Sequence, residues 1–262
     1  MTADDEPTTW GLGDYAEMAT RLGPAALAAI ELAGVRPGEH VLDIATGTGN
    51  AAVIAAARGA EVIGTDLEPV LLRLAEGRTT DVTWIAADAV ASPVPDGWAD
   101  VVVSVFGVMY AADHDAAARE LARCVAPRGR VVLASWMPGS FMAAMGGALG
   151  PYLPAPPVGS GPPSRWGDLD LLEGLFVPHG LRLVESAQRC VTLGFAGIAE
   201  GVDFLVRTAG HVVAERDRLV ADGRWKDLLG DLEWLVVARS RPSGDGLEID
   251  LKYLLALALA GD

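Results

Sequence analysis

The stretch His40–Asn50, HVLDIATGTGN, decides the fold. An apolar run closes on Asp43, and a loop carrying Gly47 and Gly49 follows before the alanine-rich Asn50–Arg58. That order reads as strand, tight glycine turn and helix. Glycine has no Cβ, so Gly47 and Gly49 let the backbone turn sharply and come close to a ligand. The carboxylate of Asp43 beside the turn suits a ligand with a positive ammonium group. It suits a pyrophosphate poorly, because a dianion needs the helix N-terminus free of competing negative charge.

Downstream the alternation continues. Glu61–Thr65 reads as a second strand, Pro69–Glu76 as a helix, Val82–Ala86 as a third strand and Asp100–Val105 as a fourth, apolar almost throughout, as expected of a strand buried on both faces. His114–Val125 is a helix with Ala117, Leu121, Cys124 and Val125 along one stripe, and Gly129–Ser135 is a fifth strand. This βαβ pattern predicts a doubly wound, mostly parallel α/β sheet. The second half is less regular. Ser140–Leu149 reads as a helix, the proline-dense Pro151–Trp166 as a connector, Leu169–Phe176 as a helix and Leu181–Leu193 as extended. Ile198–Val236 reads as helical with a break near Asp222-Gly223, and Leu247–Ala258 as a closing strand after a turn at Pro242–Gly246. The expected organisation is a single domain over 1–262, with a core at about 36–136, an N-terminal lid at about 1–30 and substrate-side insertions at about 138–180 and 196–240.

Composition narrows the partners. The chain has 262 residues and a formal net charge of −15, and its only lysines are Lys226 and Lys252. No basic groove is implied, which argues against nucleic acid. Cys124 and Cys190 lie far apart without metal-type spacing, so neither a disulfide framework nor a zinc site is expected, and each reads as a small buried hydrophobe. The acidic start MTADDEPTTW has no apolar signal region, and the longest apolar run, Tyr253–Ala260, is too short to span a bilayer. The reading is a cytoplasmic protein with no membrane or metal, acting on a small molecule, with a homodimer left open.

Three acids mark the ligand edge. Asp43, Asp66 and Asp88 stand at the ends of three consecutive strands, where open α/β sheets bind ligands. An acid closing EVIGTD can accept both hydroxyls of a ribose, and Asp88 in AADAV can accept from an adenine amino group. Gly47 to Ala52 also fits the G-x-G-x-x-G/A dinucleotide fingerprint, but Asp43 opposes a pyrophosphate there.

Taken in order, HVLDIATGTGN, VIGTDLEP, AADAV and DVVVSVFGVMYAADHDAAARELARCVAPRGRVVLASW resemble the class I S-adenosylmethionine-dependent methyltransferases. The nearest in kind are small-molecule enzymes of ubiquinone and menaquinone biosynthesis and of natural-product pathways. The resemblance is good over Asp14–Trp136 and weaker beyond, in WGDLDLLEGLF and EIDLKYLLALA. It implies a Rossmann-like, seven-stranded sheet with an antiparallel last strand, and S-adenosylmethionine as cofactor, leaving S-adenosylhomocysteine as product. It implies Asp43, Thr46, Gly47 and Gly49 at the methionine end, Asp66 and Leu67 at the ribose and adenine, Asp88 and Ala89 at the adenine, Ser104 at the floor and Tyr15 facing the cofactor's carboxylate. Thr46 stands where members often carry cysteine or another small residue.

The expected reaction is methyl transfer to an O, N or C atom of a small organic acceptor, in quinone or secondary metabolism. The fourth strand ends in SVFGVMY, with neither an Asn-Pro-Pro-Tyr segment nor a Pro-Cys nucleophile, which excludes the usual amino-group and cytosine-C5 chemistries. A non-methylating cyclisation or decarboxylation on the same fold is an alternative, and an NAD-dependent oxidoreductase a remoter one. Phe106, Met109, Tyr110, Trp136, Phe141 and Met145 are the expected acceptor pocket, since aromatic and methionine side chains suit a flat apolar molecule. His114 is the candidate base: it follows Asp113, a natural N-cap, and the positive helix end keeps its imidazole neutral. His211, His40 and His179 are weaker candidates.

Overall fold

A computed structural model of the chain describes residues 9–157 and 160–261. Residues 1–8 of the expected N-terminal lid, and positions 158 and 159 of the proline-dense connector, lie outside the described residues. The strands are β1 (His40–Ile44), β2 (Glu61–Asp66), β3 (Val82–Ala86), β4 (Ala99–Val105), β5 (Val125–Trp136), β6 (Leu181–Phe195), β7 (Ser240–Ser243) and β8 (Gly246–Ala260). The helices are α1 (Tyr15–Ala33), α2 (Asn50–Ala57), α3 (Pro69–Glu76), α4 (His114–Cys124), α5 (Phe141–Leu149), α6 (Leu169–Phe176), α7 (Ile198–Thr208), α8 (Gly210–Ala221) and α9 (Trp225–Arg239).

These strands form one sheet in the order β3-β2-β1-β4-β5-β8-β6. β1 to β5 pair in parallel, and β8 runs antiparallel to both β5 and β6. Among the described residues the sheet has eight strands, not the expected seven. Ser240–Ser243 pairs with the start of β8 through a two-residue turn, Gly244-Asp245, so what reads as a plain turn is half of a hairpin. Gly244 takes φ +55°, which that turn requires and glycine allows. Helices α7, α8 and α9 occupy the region read as helical with one break. A second break falls at Ala209, whose extended backbone separates α7 from α8.

The core lies where the apolar pattern is densest. Val101, Val102 and Val103 of β4 and Val131 and Val132 of β5 are fully buried. On one α1 face Ala25, Ala26, Ala29 and Ile30 are equally enclosed, and the small alanines let the helix pack closely on α2 and the central strands. Gly34 ends α1 in the left-handed conformation, with its N–H donating to the Glu31 carbonyl. Cys124 is buried as expected, but Cys190 is exposed: it lies on β6, the edge strand, which has no neighbour on its outer side. Among the described residues no helix is long and apolar enough to cross a membrane.

The strand order reverses between β1 and β4, and their loops part at that point. Added to Gly107, a Cβ would sit 2.5 Å from both the Cβ and the carbonyl oxygen of Ala45, so the two loops leave the sheet back to back. This is the topological switch point, where the crevice of an open α/β sheet opens.

Candidate active site

The loop after β1 is built around two carboxylates. Asp43 is 1% exposed, and its Oδ2 accepts from Thr46 Oγ1 at 2.6 Å and from the Ala52 N–H at 3.0 Å. Ala52 is in the first turn of α2, whose N-cap, Gly49, has no side chain to offer, so Asp43 caps the helix from the neighbouring strand. Burial pushes the Asp43 carboxyl up to about 7 against the pull of those two hydrogen bonds. Asp66 ends β2. Its Oδ2 accepts from the Gly47 N–H at 2.7 Å and its Oδ1 from the Glu68 N–H at 2.9 Å. Burial also raises the Asp66 carboxyl above its ordinary value. Asp66 therefore ties the glycine loop to the loop after β2, and a carboxylate, with about four acceptor sites, has capacity left for a ligand. Asp88 is exposed just beyond β3, and its Oδ1 accepts from the Val90 N–H.

Three connected cavities lie over this edge. A cleft of about 120 Å³ is lined by Gly47, Asp66, Leu67, Asp88, Ala89 and Tyr110, among others. A narrow recess of about 20 Å³, which shares Tyr15, Ala45 and Phe106 with the cleft, is lined by Asp43, Thr46, Thr48 and Asn50. A chamber of about 480 Å³ lies on the other side, with Met18, Trp136, Met142, Met145, Leu149 and His211 in its wall. Tyr15 and Phe106 border all three. Leu67 is 58% exposed beside Asp66, an apolar surface left uncovered next to the acid.

Phe106 holds its place under strain. It takes φ +58°, and Ala45 across the parting loops takes φ +54°, both in the left-handed region that residues with a side chain avoid. Each costs of order 1–3 kcal/mol, and such strain gathers where a ligand surface must be shaped. The Phe106 ring stacks on Trp136 with centroids 3.6 Å apart and planes 6° from parallel. Trp136 also donates to the Tyr110 hydroxyl, and desolvation around that hydroxyl raises the phenol above its ordinary value, although the residue as a whole is 40% exposed. Tyr15, raised further by burial, lies across the glycine loop: a Cβ on Gly47 would meet its ring at 3.3 Å.

The N-terminal segment forms the outer wall. Thr9–Leu12 makes one turn of 3₁₀ helix, and the Gly11 N–H donates to Glu68 Oε2 at 3.1 Å. The Asp14 N–H donates to the Arg207 carbonyl at 2.8 Å. The Trp10 ring meets Tyr110 at 4.8 Å and His211 at 6.1 Å, edge to face in both cases.

The expected residues fall into two groups. Tyr15, Asp43, Thr46, Gly47, Asp66, Leu67, Asp88 and Ala89 border the cleft or the recess, and Phe106, Tyr110, Trp136 and Met145 border the chamber. The rest stand elsewhere. Gly49 backs onto an indole: a Cβ there would lie 2.4 Å from Trp84 Cη2. Ser104 is fully buried between strands, donating to the Ile44 carbonyl at 2.7 Å and accepting from the Val108 N–H at 3.0 Å. Met109 and Phe141 are core residues that border none of the three cavities. His114 does not border them either: it is 6% exposed and packed edge to face on Trp166 at 5.8 Å. Burial and then the nearby Arg165 hold its imidazole below the ordinary value. A helix start gives the right charge environment but does not say which cavity the side chain reaches. His211, which the sequence reading ranked below His114, also borders the chamber, and Trp10, Met18, Leu22 and Met142 are chamber residues that it missed. Only the amphipathic pattern of α1 and the aromatic at position 10 hinted at them.

Comparison with known proteins shows what the chain is similar to. Residues 42–133 match the methyltransferase domain family. An uncharacterised protein of Mycobacterium tuberculosis is 38% identical over 175 residues, which cover 65% of this chain and 64% of that one. A demethylmenaquinone methyltransferase of Thermus thermophilus is 42% identical over 116 residues, covering 42% of this chain and 53% of that one. The chain thus spans less than two thirds of the length of either relative. Among solved structures, the YcgJ protein from Bacillus subtilis superposes with a TM-score of 0.64 at 17% identity, over 93% of this chain and 99% of that one.

Proposed function

We propose that this chain is a class I S-adenosylmethionine-dependent methyltransferase that moves the cofactor's methyl group to a small, apolar organic acceptor. One observation carries the reading: the acid-rimmed cleft and the apolar chamber are separated only by a shared wall of Trp10, Tyr15, Phe106 and Tyr110. A donor and an acceptor seated on the two sides would meet at that wall.

The residues of the cleft fit the cofactor. Asp66 offers free carboxylate lone pairs to the ribose hydroxyls, Asp88 accepts from the adenine amino group, and Leu67 and Ala89 cover the adenine faces. Asp43, Thr48 and Asn50 surround the recess that would receive the amino-acid end. When bound, the cofactor supplies an electrophilic methyl group on a sulfonium. The protein's own work is then to align the nucleophile and keep water out, and such positioning is worth about 7–11 kcal/mol. The strained Phe106, clamped on Trp136, gives the wall a fixed position.

The chamber favours a flat acceptor. Its wall is aromatic and methionine-rich, and no lysine or arginine borders it. A quinone-type ring or a natural product of similar shape fits that wall, and a phosphorylated acceptor does not. The test is calorimetry with S-adenosylhomocysteine against NAD, followed by mass spectrometry of a panel of aromatic acceptors incubated with S-adenosylmethionine. Binding of the homocysteine product and a mass gain of one methylene in an aromatic acceptor support the reading. Binding of NAD with no response to S-adenosylhomocysteine would overturn it.

A further inference from the structure

His211 stands in the chamber with nothing from the protein to bind. It lies in the first turn of α8, and its ring borders the acceptor chamber. Among the described residues neither ring nitrogen has a hydrogen-bond partner, and the ring contact is with Trp10, edge to face at 6.1 Å. Trp10 belongs to the wall that chamber and cleft share and in turn touches Tyr110 of the same wall, so the imidazole lies against it. The other polar side chains nearby are committed or are not bases. Thr208 Oγ1 donates to the Phe204 carbonyl. Tyr15 and Tyr110 are phenols that burial keeps protonated.

We propose that His211 is the proton acceptor for an acidic hydroxyl on the substrate, and that the acceptor is therefore an uncharged ring system bearing a phenol- or enol-type O–H. The proposal rests on the methyl-transfer reading above. The step balances as follows. The hydroxyl proton passes to an imidazole nitrogen of His211 while an oxygen lone pair forms the O–CH₃ bond. The C–S bond breaks with its electron pair going to sulfur, the sulfonium becomes a thioether, and the imidazolium later gives its proton to water.

The surroundings keep the base in its working form. Burial lowers the His211 imidazole below its ordinary value, and the N-terminal end of α8 acts in the same direction. Among the described residues no opposing acid acts on it. Of the charged groups on adjoining elements, Arg207 of α7 is held by Glu17, Asp203 and Asp14, and Glu215, one turn along α8, is held by Arg218. The segment Thr9–Leu12 brings no acid or base against the ring. The imidazole is thus neutral near pH 7 and able to take a proton.

2-Naphthol tests this without turnover. It is bound to the protein saturated with S-adenosylhomocysteine, and the naphtholate absorption band is followed against pH in the parent and in His211→Gln, with His211→Asn as a second variant should the first fail to fold. The bound naphthol should ionise about tenfold more readily in the parent, and histidine-labelled NMR should show the His211 ring, among the chain's four histidines, moving on addition. For an acceptor that is methylated, His211→Gln should lower kcat by about 10²–10⁴-fold with KM little changed, the loss shrinking as pH rises towards the acceptor's own ionisation. Equal ionisation in parent and variant, or no response of the His211 ring to 2-naphthol, overturns the assignment. Calorimetry separates the two readings: if S-adenosylhomocysteine fails to bind, the methyl-transfer reading falls, whereas if it binds and His211 is indifferent, only the base is lost.

Discussion

Asp66 shows how one side chain serves loop and ligand together. Both its oxygens accept backbone N–H groups, from Gly47 and Glu68, and the side chain also lines the cleft. Asp66→Ala should weaken S-adenosylhomocysteine binding by roughly 1–3 kcal/mol, the scale for lost hydrogen bonds to a charged group. Calorimetry checks it, and unchanged affinity would remove the ribose assignment. The same scale explains why two expected ligand contacts stand elsewhere. Ser104 has its hydroxyl spent between β1 and the turn after β4, and Gly49 is bare to admit Trp84. Ala45 is the converse, a residue with a Cβ held at φ +54°. Ala45→Gly should raise unfolding stability by about 1 kcal/mol, because glycine occupies that region without steric cost. Urea denaturation measures it, and a loss of stability would mean that the Cβ contributes more by packing than it costs in strain.

At the scale of elements, the decisive contact is the crossing of the N-terminal segment over the α7–α8 junction. A Cβ on Gly210 would lie 1.9 Å from the Thr9 carbonyl oxygen, and one on Gly13 would lie 2.8 Å from the Gly210 nitrogen. The two glycines let the segment lie flat, with Trp10 over the chamber. Gly210→Ala should lift the segment off while leaving the sheet intact. Hydrogen exchange should then rise at Thr9–Leu12, the Trp10 contacts with Tyr110 and His211 should be lost, and the fluorescence of Trp10 should shift to the red. An unchanged exchange pattern would show that the backbone there can shift at little cost. The proline-dense connector is fixed in the same way, by side chains distant in sequence. Tyr152 donates to Asp231 at 2.6 Å, and Arg218 and Arg224 donate to the carbonyls of Tyr152 and Pro151.

For the whole molecule, the buried acid of β1 ties stability to pH. The Asp43 carboxyl sits at about 7 in the folded chain against an ordinary value of 3.8. A folded value above the unfolded one means that the native state holds the proton longer. The contribution is therefore fully present below about pH 4 and is lost as pH rises through about 7. At about 1.4 kcal/mol per unit, the upper bound is roughly 4 kcal/mol. Asp43→Asn should flatten this part of the stability profile between about pH 4 and 7. Chemical denaturation of parent and variant at several pH values checks it, and parallel profiles would show that Asp43 stays ionised. The effect belongs to the fold, because the charge is enclosed by α2, the glycine loop and the sheet together.

The sequence by itself determined the sheet from β1 to β5, the carboxylates at its edge and the resemblance to methyltransferases. These rest on local signals, such as an apolar run, a glycine turn or a helix stripe, each within one βαβ unit. The acceptor chamber was decided only by the tertiary structure. Its walls come from Trp10, Phe106, Met142 and His211, which lie up to two hundred residues apart along the chain. No periodicity within one element encodes which of its faces will meet another, so the sequence ranks His114 above His211 on its capped helix start alone. Packing puts one against Trp166 and leaves the other open to the cavity. The hairpin of β7 was hidden for a related reason: a four-residue strand has too short a pattern to be read, and it exists because β8 offers it an edge.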